Sequence, residues 1–277
     1  MEEKLKRQAE DNYKSAPSLS VSYAAGIPFL FSDLMKSGFW DKSHPISSQF
    51  GLVYEQPMGP VSLGIGLGIS NYKFKATFSN FEETLEGLTD IDNDRYNAIC
   101  SYKDVKENVS LLYLDIPIVL SIGQPRVHRI GAYCKIGITA SINLQNKFKG
   151  EGKYNISGYY PEWDVVIHDV DELNFRSDAS CYEDADYKVN KLVLWGNLAG
   201  GVYLPLSKIK EGKDARYILK LGARCDYSLN TISKQLTELY SGAAYHINQS
   251  NILSGKGTRI LSPGFEIALI FMLAKPK

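Results

Sequence analysis

The chain has 277 residues, and its 31 basic side chains balance 31 acidic ones, so the formal net charge is zero. A nucleic-acid-binding protein would show a basic excess, and we therefore expect no nucleic acid among its partners. No run of eighteen apolar residues occurs, which excludes a transmembrane helix. Aromatic residues make up 12% of the chain, a share typical of β-strands and of membrane interfaces.

The beginning of the chain, residues 1–16, is polar and highly charged and has no apolar segment. Either a signal peptide has been removed, or the chain is not exported. We interpret 1–16 as a tail or linker, 17–273 as one β-barrel domain, and 274–277 as a C-terminal tail.

Period-two segments begin after the tail, and the clearest is VSLGIGLGIS at 61–70, where aliphatic residues alternate with Ser or Gly. Such alternation predicts a β-strand with one apolar face. Beyond it the apolar positions change parity to Tyr72, Phe74 and Phe78, which predicts a bulge near Ser70–Asn71. The first three predicted strands are 18–24, 46–55 and 61–78.

Five further segments repeat this pattern, with an uncharged aliphatic face opposite Gly, Ser, Ala and isolated charges. They are 110–122, 128–145, about 190–204, 216–229 and 260–273. The connections alternate between long and short without exception. The long ones are 27–45, 79–109, 146–187 and 230–259, and the short ones are 56–60, 123–127 and 207–215.

This alternation predicts an all-β fold: an eight-stranded antiparallel up-and-down transmembrane β-barrel with four long loops at one end. The strands are long enough to cross a bilayer, and their apolar faces avoid the charges that lipid disfavours. Aromatic residues near the strand ends suit an interfacial girdle: Tyr54, Tyr217, Phe271 and Tyr227. We therefore expect contact with outer-membrane lipid in a Gram-negative bacterium. A soluble lipocalin-like ligand binder is the alternative.

On this interpretation eight charged side chains point into the barrel: Glu55, Asp115, Arg129, Lys135, Lys220, Arg224, Asp226 and Glu266. A lumen of eight strands is filled by side chains, and buried charges need partners. We expect a salt-bridge network, with Glu266 near Lys220 or Arg224, that acts as a structural plug without an open pore. A proton or ion pathway is the alternative.

Two cysteines, Cys100 and Cys181, fall in long loops on one side of the membrane, whereas Cys134 and Cys225 fall on the lipid face. We predict a Cys100–Cys181 disulfide, with two free thiols as the alternative. The acidic stretch at 89–96, TDIDNDRY, lacks the spacing of a calcium loop, so we expect no metal and no cofactor.

Catalysis has little support in this sequence. Three of the four histidines lie on the long-loop side (His44, His168 and His246), and His128 lies on the other side, but no nucleophile motif accompanies any of them. We therefore expect no enzyme. The third long loop is instead rich in aromatic residues, and we expect it to be the contact site for a protein or a glycan: Tyr154, Tyr159, Tyr160 and Trp163.

The strand YLDIPIVLSIG, residues 113–123, resembles the "YL-E/D-IP" strand of the PorT-like outer membrane β-barrel proteins of Bacteroidota. The glycine-alternating strand 61–70 and the closing strand PGFEIALIFML at 263–273 are also similar, and the likeness covers 17–273. The chain departs from the family where it continues past Phe271 instead of ending on an aromatic residue.

This resemblance implies an accessory role in secretion or surface assembly, or the barrel of an envelope-sensing system. Our overall expectation is an outer-membrane anchor, accessory or surface-binding protein that acts through its long loops. Three alternatives remain: the barrel of an envelope-sensing or secretion assembly, a lipid-modifying barrel enzyme, and the soluble ligand binder.

Overall fold

The structure is a computed structural model that describes residues 16–31, 41–78, 81–123, 130–180, 189–206, 217–233 and 258–273. Within these ranges no helix is both long enough and apolar enough to cross a membrane.

In the described part of the chain twelve strands form one sheet, and eight of them close it into a barrel. The strands are β1 (Ser18–Gly26), β2 (Phe29–Phe31), β3 (Asp41–Met58), β4 (Val61–Phe78), β5 (Phe81–Thr89), β6 (Arg95–Ile122), β7 (Gly131–Tyr160), β8 (Val165–Ile167), β9 (Arg176–Ser180), β10 (Leu192–Pro205), β11 (Tyr217–Ser228) and β12 (Arg259–Met272). Around the barrel the antiparallel order is β1, β3, β4, β6, β7, β10, β11, β12 and back to β1. The predicted eight-stranded antiparallel barrel is confirmed.

The strand directions place all four long connections at one end of the barrel, as predicted. The described parts of three of them contain regular structure, namely β2, β5, β8, β9 and a short 3-10 helix at Asp171–Leu173. Two barrel strands reach farthest into this end: β6 begins at Arg95 and β7 continues to Tyr160. The predicted strand limits at 110 and 145 are therefore wrong, because both strands continue beyond the aliphatic alternation that identified them.

We call this continued part of the sheet the extension; it comprises residues 72–78, 81–111 and 145–180. In it β5 pairs with β6, while β8 and β9 pair with β7. Its interior holds a cluster of buried side chains that includes Tyr96, Ile156 and Phe175.

The bulge predicted near Ser70–Asn71 is wrong. The pairing of β4 with both neighbours keeps one register through these residues, and Tyr72 and Phe74 are buried on the inward side, in line with Ser62 and Ser70. The parity change in the sequence has another cause: above this level the inward face, rather than the outward face, carries the apolar side chains.

The bulges lie on the neighbouring strands. On β7 one extra residue, Leu144, stands between the partners of Leu112 and Tyr113. Past Leu144 the inward positions of β7 change from odd to even numbers. On β6 the register changes between Lys103 and Lys106, next to Asp104, whose φ is +51°.

The outward face of the barrel carries an exposed aliphatic band. Representative exposed side chains are Leu52, Leu63, Ile65, Leu67, Ile69, Ile118, Ile136, Ile138, Leu198 and Ile267. The inward face is small, polar or aromatic: Ser20, Ser62, Ser121 and Ser141 are all buried, and so are Tyr133 and Trp195. The band continues from one strand to the next. A soluble monomer rarely exposes such a continuous apolar surface.

Candidate functional site

The lumen of the barrel is filled by three layers of side chains. At the short-turn end lies a cluster that includes Tyr133, Tyr203, Ile218 and Met272. At the opposite end lies the aromatic cluster that continues into the extension. The charged residues lie between these two clusters, which separate them from bulk water. Because a buried charge is costly unless it is paired, the ion pairs at this level are important for stability.

Glu266 on β12 is the centre of the charged layer. Its carboxylate lies 2.8 Å from Lys220 Nζ and 3.1 Å from Lys135 Nζ, and one oxygen is 3.9 Å from Arg224 Nη1. The Glu266 side chain is 2% exposed and that of Lys220 is 4% exposed. The ammonium of Lys220 also stands 4.5 Å from the ring centre of Tyr133. One carboxylate thus holds three cations that come from β7 and β11.

Asp226 forms the second half of the layer. It accepts a hydrogen bond from Arg224 at 2.8 Å and one from Asn197 at 2.7 Å. It also accepts one from Gln49 Nε2 at 3.1 Å, and the same amide nitrogen donates to the hydroxyl of Tyr72 at 3.0 Å. The network therefore crosses the lumen from β11 to β3 and connects the charges with the aromatic layer.

The other predicted lumen charges are placed differently. Asp115 accepts a hydrogen bond from Ser141. Glu55 faces the lumen but has no ion pair among the described residues. Arg129 lies outside the described residues. Five of the eight predicted charges are thus brought together: Lys135, Lys220, Arg224, Asp226 and Glu266.

The aromatic layer closes the lumen above the charges. Tyr72 stacks on Trp195 with ring centres 4.9 Å apart and planes 6° apart, and Tyr113 meets both rings edge-on. Below these rings lies a cavity of about 70 Å³ lined by both layers, among others by Gln49, Asp226 and Glu266. A polar cavity of this size holds a few water molecules.

In the extension, Asp90 organises the turn before β6. One carboxylate oxygen accepts the backbone N–H groups of Asp92 and Asp94, each at 2.9 Å, and the other accepts the hydroxyl of Tyr160 at 2.9 Å. Desolvation alone would raise the pKa of Asp90, but these three hydrogen bonds outweigh it and hold the pKa below its ordinary value. The stretch at 89–96 is therefore a structural turn. Among the described residues no group of acids, histidines and cysteines is placed to hold a metal ion.

The four aromatics predicted as a contact surface separate into two pairs. Tyr154 and Tyr160 are buried in the extension, at 2% and 1% exposure, so the prediction that they face a partner is wrong. The bulge at Leu144 turns the even positions of β7 inward beyond it. Trp163 is 53% exposed and stacks on Tyr160 at 5.3 Å. Tyr159 is half-exposed and donates to Asp164 at 2.9 Å.

The predicted Cys100–Cys181 disulfide stays a prediction, because Cys181 lies outside the described residues; Cys100 is buried in the interior of the extension. Cys134 and Cys225 lie on the outward face, where they were predicted. Of the histidines only His168 has a described side chain.

The family model described as "Outer membrane protein beta-barrel domain" matches residues 8–234, which is most of the chain. The chain belongs to this family. In an outer membrane β-barrel the exposed aliphatic band faces lipid, and the charged and aromatic layers are its interior. The soluble lipocalin-like alternative, in which the aliphatic residues would form a core, is wrong for this chain.

Solved structures that resemble this outer membrane β-barrel include Neisserial surface protein A (9% identity, TM-score 0.36, covering 94% of this chain and 97% of that one). They also include OprG from Pseudomonas aeruginosa (10% identity, TM-score 0.32, covering 94% and 97%). A search of curated proteins finds no match.

Aromatic residues mark the short-turn rim of this outer membrane β-barrel. Tyr217 and Phe271 meet edge-on at 5.5 Å, and the exposed Tyr54 donates to Gln56 at 2.9 Å. At the other rim Arg259 donates to the hydroxyl of Tyr227 at 3.0 Å. These positions suit rings that sit at a membrane interface.

Proposed function

We propose that this outer membrane β-barrel is a non-conducting, non-catalytic surface protein that presents its extension as a binding platform. The observation that supports this most directly is the closed lumen. The stacked pair Tyr72 and Trp195 lies above the ion cluster of Glu266, and an eight-stranded lumen is only wide enough for such side chains.

A folded extension supports the second half of the proposal. In outer membrane β-barrels the longer connections face the cell exterior. Here they are stiffened by the pairing of β5 with β6 and of β6 with β7 and by a buried aromatic interior. Binding residues on a rigid scaffold lose little conformational entropy when they meet a partner.

Within the extension we assign the contact surface to the turn between β7 and β8. Trp163 is exposed there, and its ring is held by the stack on Tyr160 while the Tyr159–Asp164 hydrogen bond braces the turn. An exposed, preorganised indole beside a carboxylate suits a sugar ring or a protein side chain. The resemblance of residues 113–123 to PorT-like proteins of Bacteroidota is consistent with an accessory role at the cell surface, and we retain that narrower membership as part of the proposal.

Single-channel recording in planar bilayers tests the closed lumen. The wild-type protein is expected to give no conductance steps, because the aromatic layer and the ion cluster occlude the barrel. The double variant Tyr72→Ala/Trp195→Ala is also expected to give no steps, since the ion cluster of Glu266 and the cluster at the short-turn end remain in place. Regular steps from the wild-type protein would contradict the proposal.

An immobilised array of oligosaccharides tests the contact surface. Binding by the wild-type protein is expected to be lost in Trp163→Ala and kept in Ile91→Ala, a matched control because Ile91 is also apolar, in the extension and 70% exposed. Equal binding by both variants would contradict the assignment of the turn. No binding by the wild-type protein would exclude the tested glycans as partners.

A further inference from the structure

Five exposed lysines lie on the outward face of three neighbouring strands at the base of the extension. They are Lys73 and Lys75 on β4, Lys106 on β6, and Lys147 and Lys149 on β7. Lys73 and Lys147 pair with Ser110 from opposite sides, and Lys75 and Lys149 pair with Asn108 in the same way. Since adjacent strands are about 4.8 Å apart, each of these lysine pairs is separated by about 10 Å at the backbone. We call these five residues the lysine patch.

The lysine patch is rich in positive charge. Glu151 is the acid next to it on β7, and it pairs with Lys149 at 3.0 Å. The hydrogen bond and charge of Lys149, followed by the charges of Lys106 and Lys75, lower the pKa of Glu151. Several lysines thus act on one carboxylate.

The position of the patch on the barrel is the second observation. Immediately below it on the same strands are exposed aliphatic side chains, Ile69 on β4 and Ile142 and Leu144 on β7, at 48%, 41% and 54% exposure. The patch therefore lies where the lipid-facing band ends. A ligand bound here meets apolar side chains at one end and ammonium groups at the other.

We propose that the lysine patch binds the phosphate-bearing headgroup of an anionic membrane lipid, whose acyl chains lie along Ile69, Ile142 and Leu144. Clustered lysines beside a membrane attract anionic headgroups. A free anion would satisfy the charge but would leave the apolar half of the site without a role. The inference goes beyond the proposed surface-binding function and needs only the location of the barrel in a membrane.

Native mass spectrometry of the folded protein released from neutral detergent tests this directly, with dioleoyl phosphatidic acid as the probe and dioleoyl phosphatidylcholine as the reference lipid. The test variant is Lys73→Gln/Lys75→Gln/Lys147→Gln. The matched control is Lys103→Gln/Lys153→Gln/Lys191→Gln, which removes three exposed lysines that are not part of the patch; two of them, Lys103 and Lys153, pair with each other farther out on β6 and β7. Heat-dependent gel mobility verifies that each variant is folded.

We expect the wild-type protein and the control to retain phosphatidic acid selectively, and the test variant to bind it at least about tenfold more weakly. Equal retention by the test variant and the wild-type protein would overturn the proposal, as would an equal loss in the control. Phosphorus-31 line broadening of inorganic phosphate in detergent adds a further arm. If broadening depends on the three lysines and the protein shows no selectivity for phosphatidic acid, the patch binds a free anion, and the proposal of a lipid site is overturned.

Discussion

Replacing Glu266 by glutamine removes the one carboxylate that three cations share. The glutamine keeps the size of the side chain and one hydrogen-bond acceptor, so the change is mainly electrostatic. Lys220, 2.8 Å away and 4% exposed, and Lys135, 3.1 Å away and 13% exposed, then lose their counter-charge in the interior of the barrel. Asp226 remains 2.8 Å from Arg224 and cannot neutralise all three.

The size of the effect follows from the burial. Breaking a buried ion pair by removing one partner costs about 3–5 kcal/mol, because an unpaired charge remains in a medium of low polarity. Glutamine still accepts a hydrogen bond from Lys220, so we expect a loss near the lower limit, about 3 kcal/mol in the free energy of unfolding. The control is Glu151→Gln. Its pair with Lys149 is about half exposed on both sides, and such pairs contribute at most about 1 kcal/mol.

Urea unfolding of both variants in phosphatidylcholine vesicles, followed by heat-dependent gel mobility, measures the difference. A second substitution, Lys220→Met in the Glu266→Gln background, is expected to recover part of the loss because it removes one unpaired cation. Equal midpoints for Glu266→Gln and Glu151→Gln would refute the reasoning, and so would a further loss of stability in the Lys220→Met double variant.

Two further predictions concern the extension and the lumen wall. Replacing Asp90 by alanine is expected to lower the hydrogen-exchange protection of the Asp92 and Asp94 amides about tenfold, since both donate to its carboxylate. The pKa of Asp90 is lower in the folded protein than its ordinary value of 3.8. The stabilisation by its carboxylate is therefore complete above pH 3.8 and is lost as the pH falls through the lower folded pKa. Unchanged amide protection in Asp90→Ala would contradict this prediction. Gly222→Ala is expected to destabilise the barrel by about 1–3 kcal/mol, because the new Cβ would lie 2.0 Å from the Tyr133 hydroxyl oxygen and 2.6 Å from a backbone oxygen. Urea unfolding should show partial rescue by Tyr133→Phe, and a neutral Gly222→Ala would contradict the contact.

The membrane part of the barrel is readable from the sequence because its outward residues are aliphatic and its inward residues small. Leu63, Ile65 and Leu67 carry that signal on β4. The extension has a different sequence pattern. Above Ile69 the outward positions of β4 include Lys73 and Lys75 and the inward ones include Tyr72 and Phe74, so the apolar positions change parity although the strand continues without a bulge. The bulge at Leu144 reverses the faces of β7 as well.

The lumen site was accessible to sequence reasoning in part. The nearness of Glu266 to Lys220 and Arg224 follows from the neighbouring positions of β11 and β12 in an up-and-down barrel. The contact of Lys135 with Glu266 does not, because β7 and β12 are separated by β10 and β11 and meet only across the lumen. The hydrogen bond from Gln49 on β3 to Asp226 on β11 has the same origin. Such contacts depend on the curvature of the closed sheet, which no local pattern specifies.

The central claim is that the aliphatic residues face lipid while the charged layer is enclosed. Replacing Leu67, which is 58% exposed in the middle of the band, by tryptophan gives the most direct test. The protein is folded into vesicles of phosphatidylcholine brominated at the middle of the acyl chain, and its emission is compared with that of the wild-type protein. We predict that most of the emission added by the new indole is quenched by the brominated lipid and little of it by aqueous iodide. Added emission that iodide quenches and bromine does not would contradict the account.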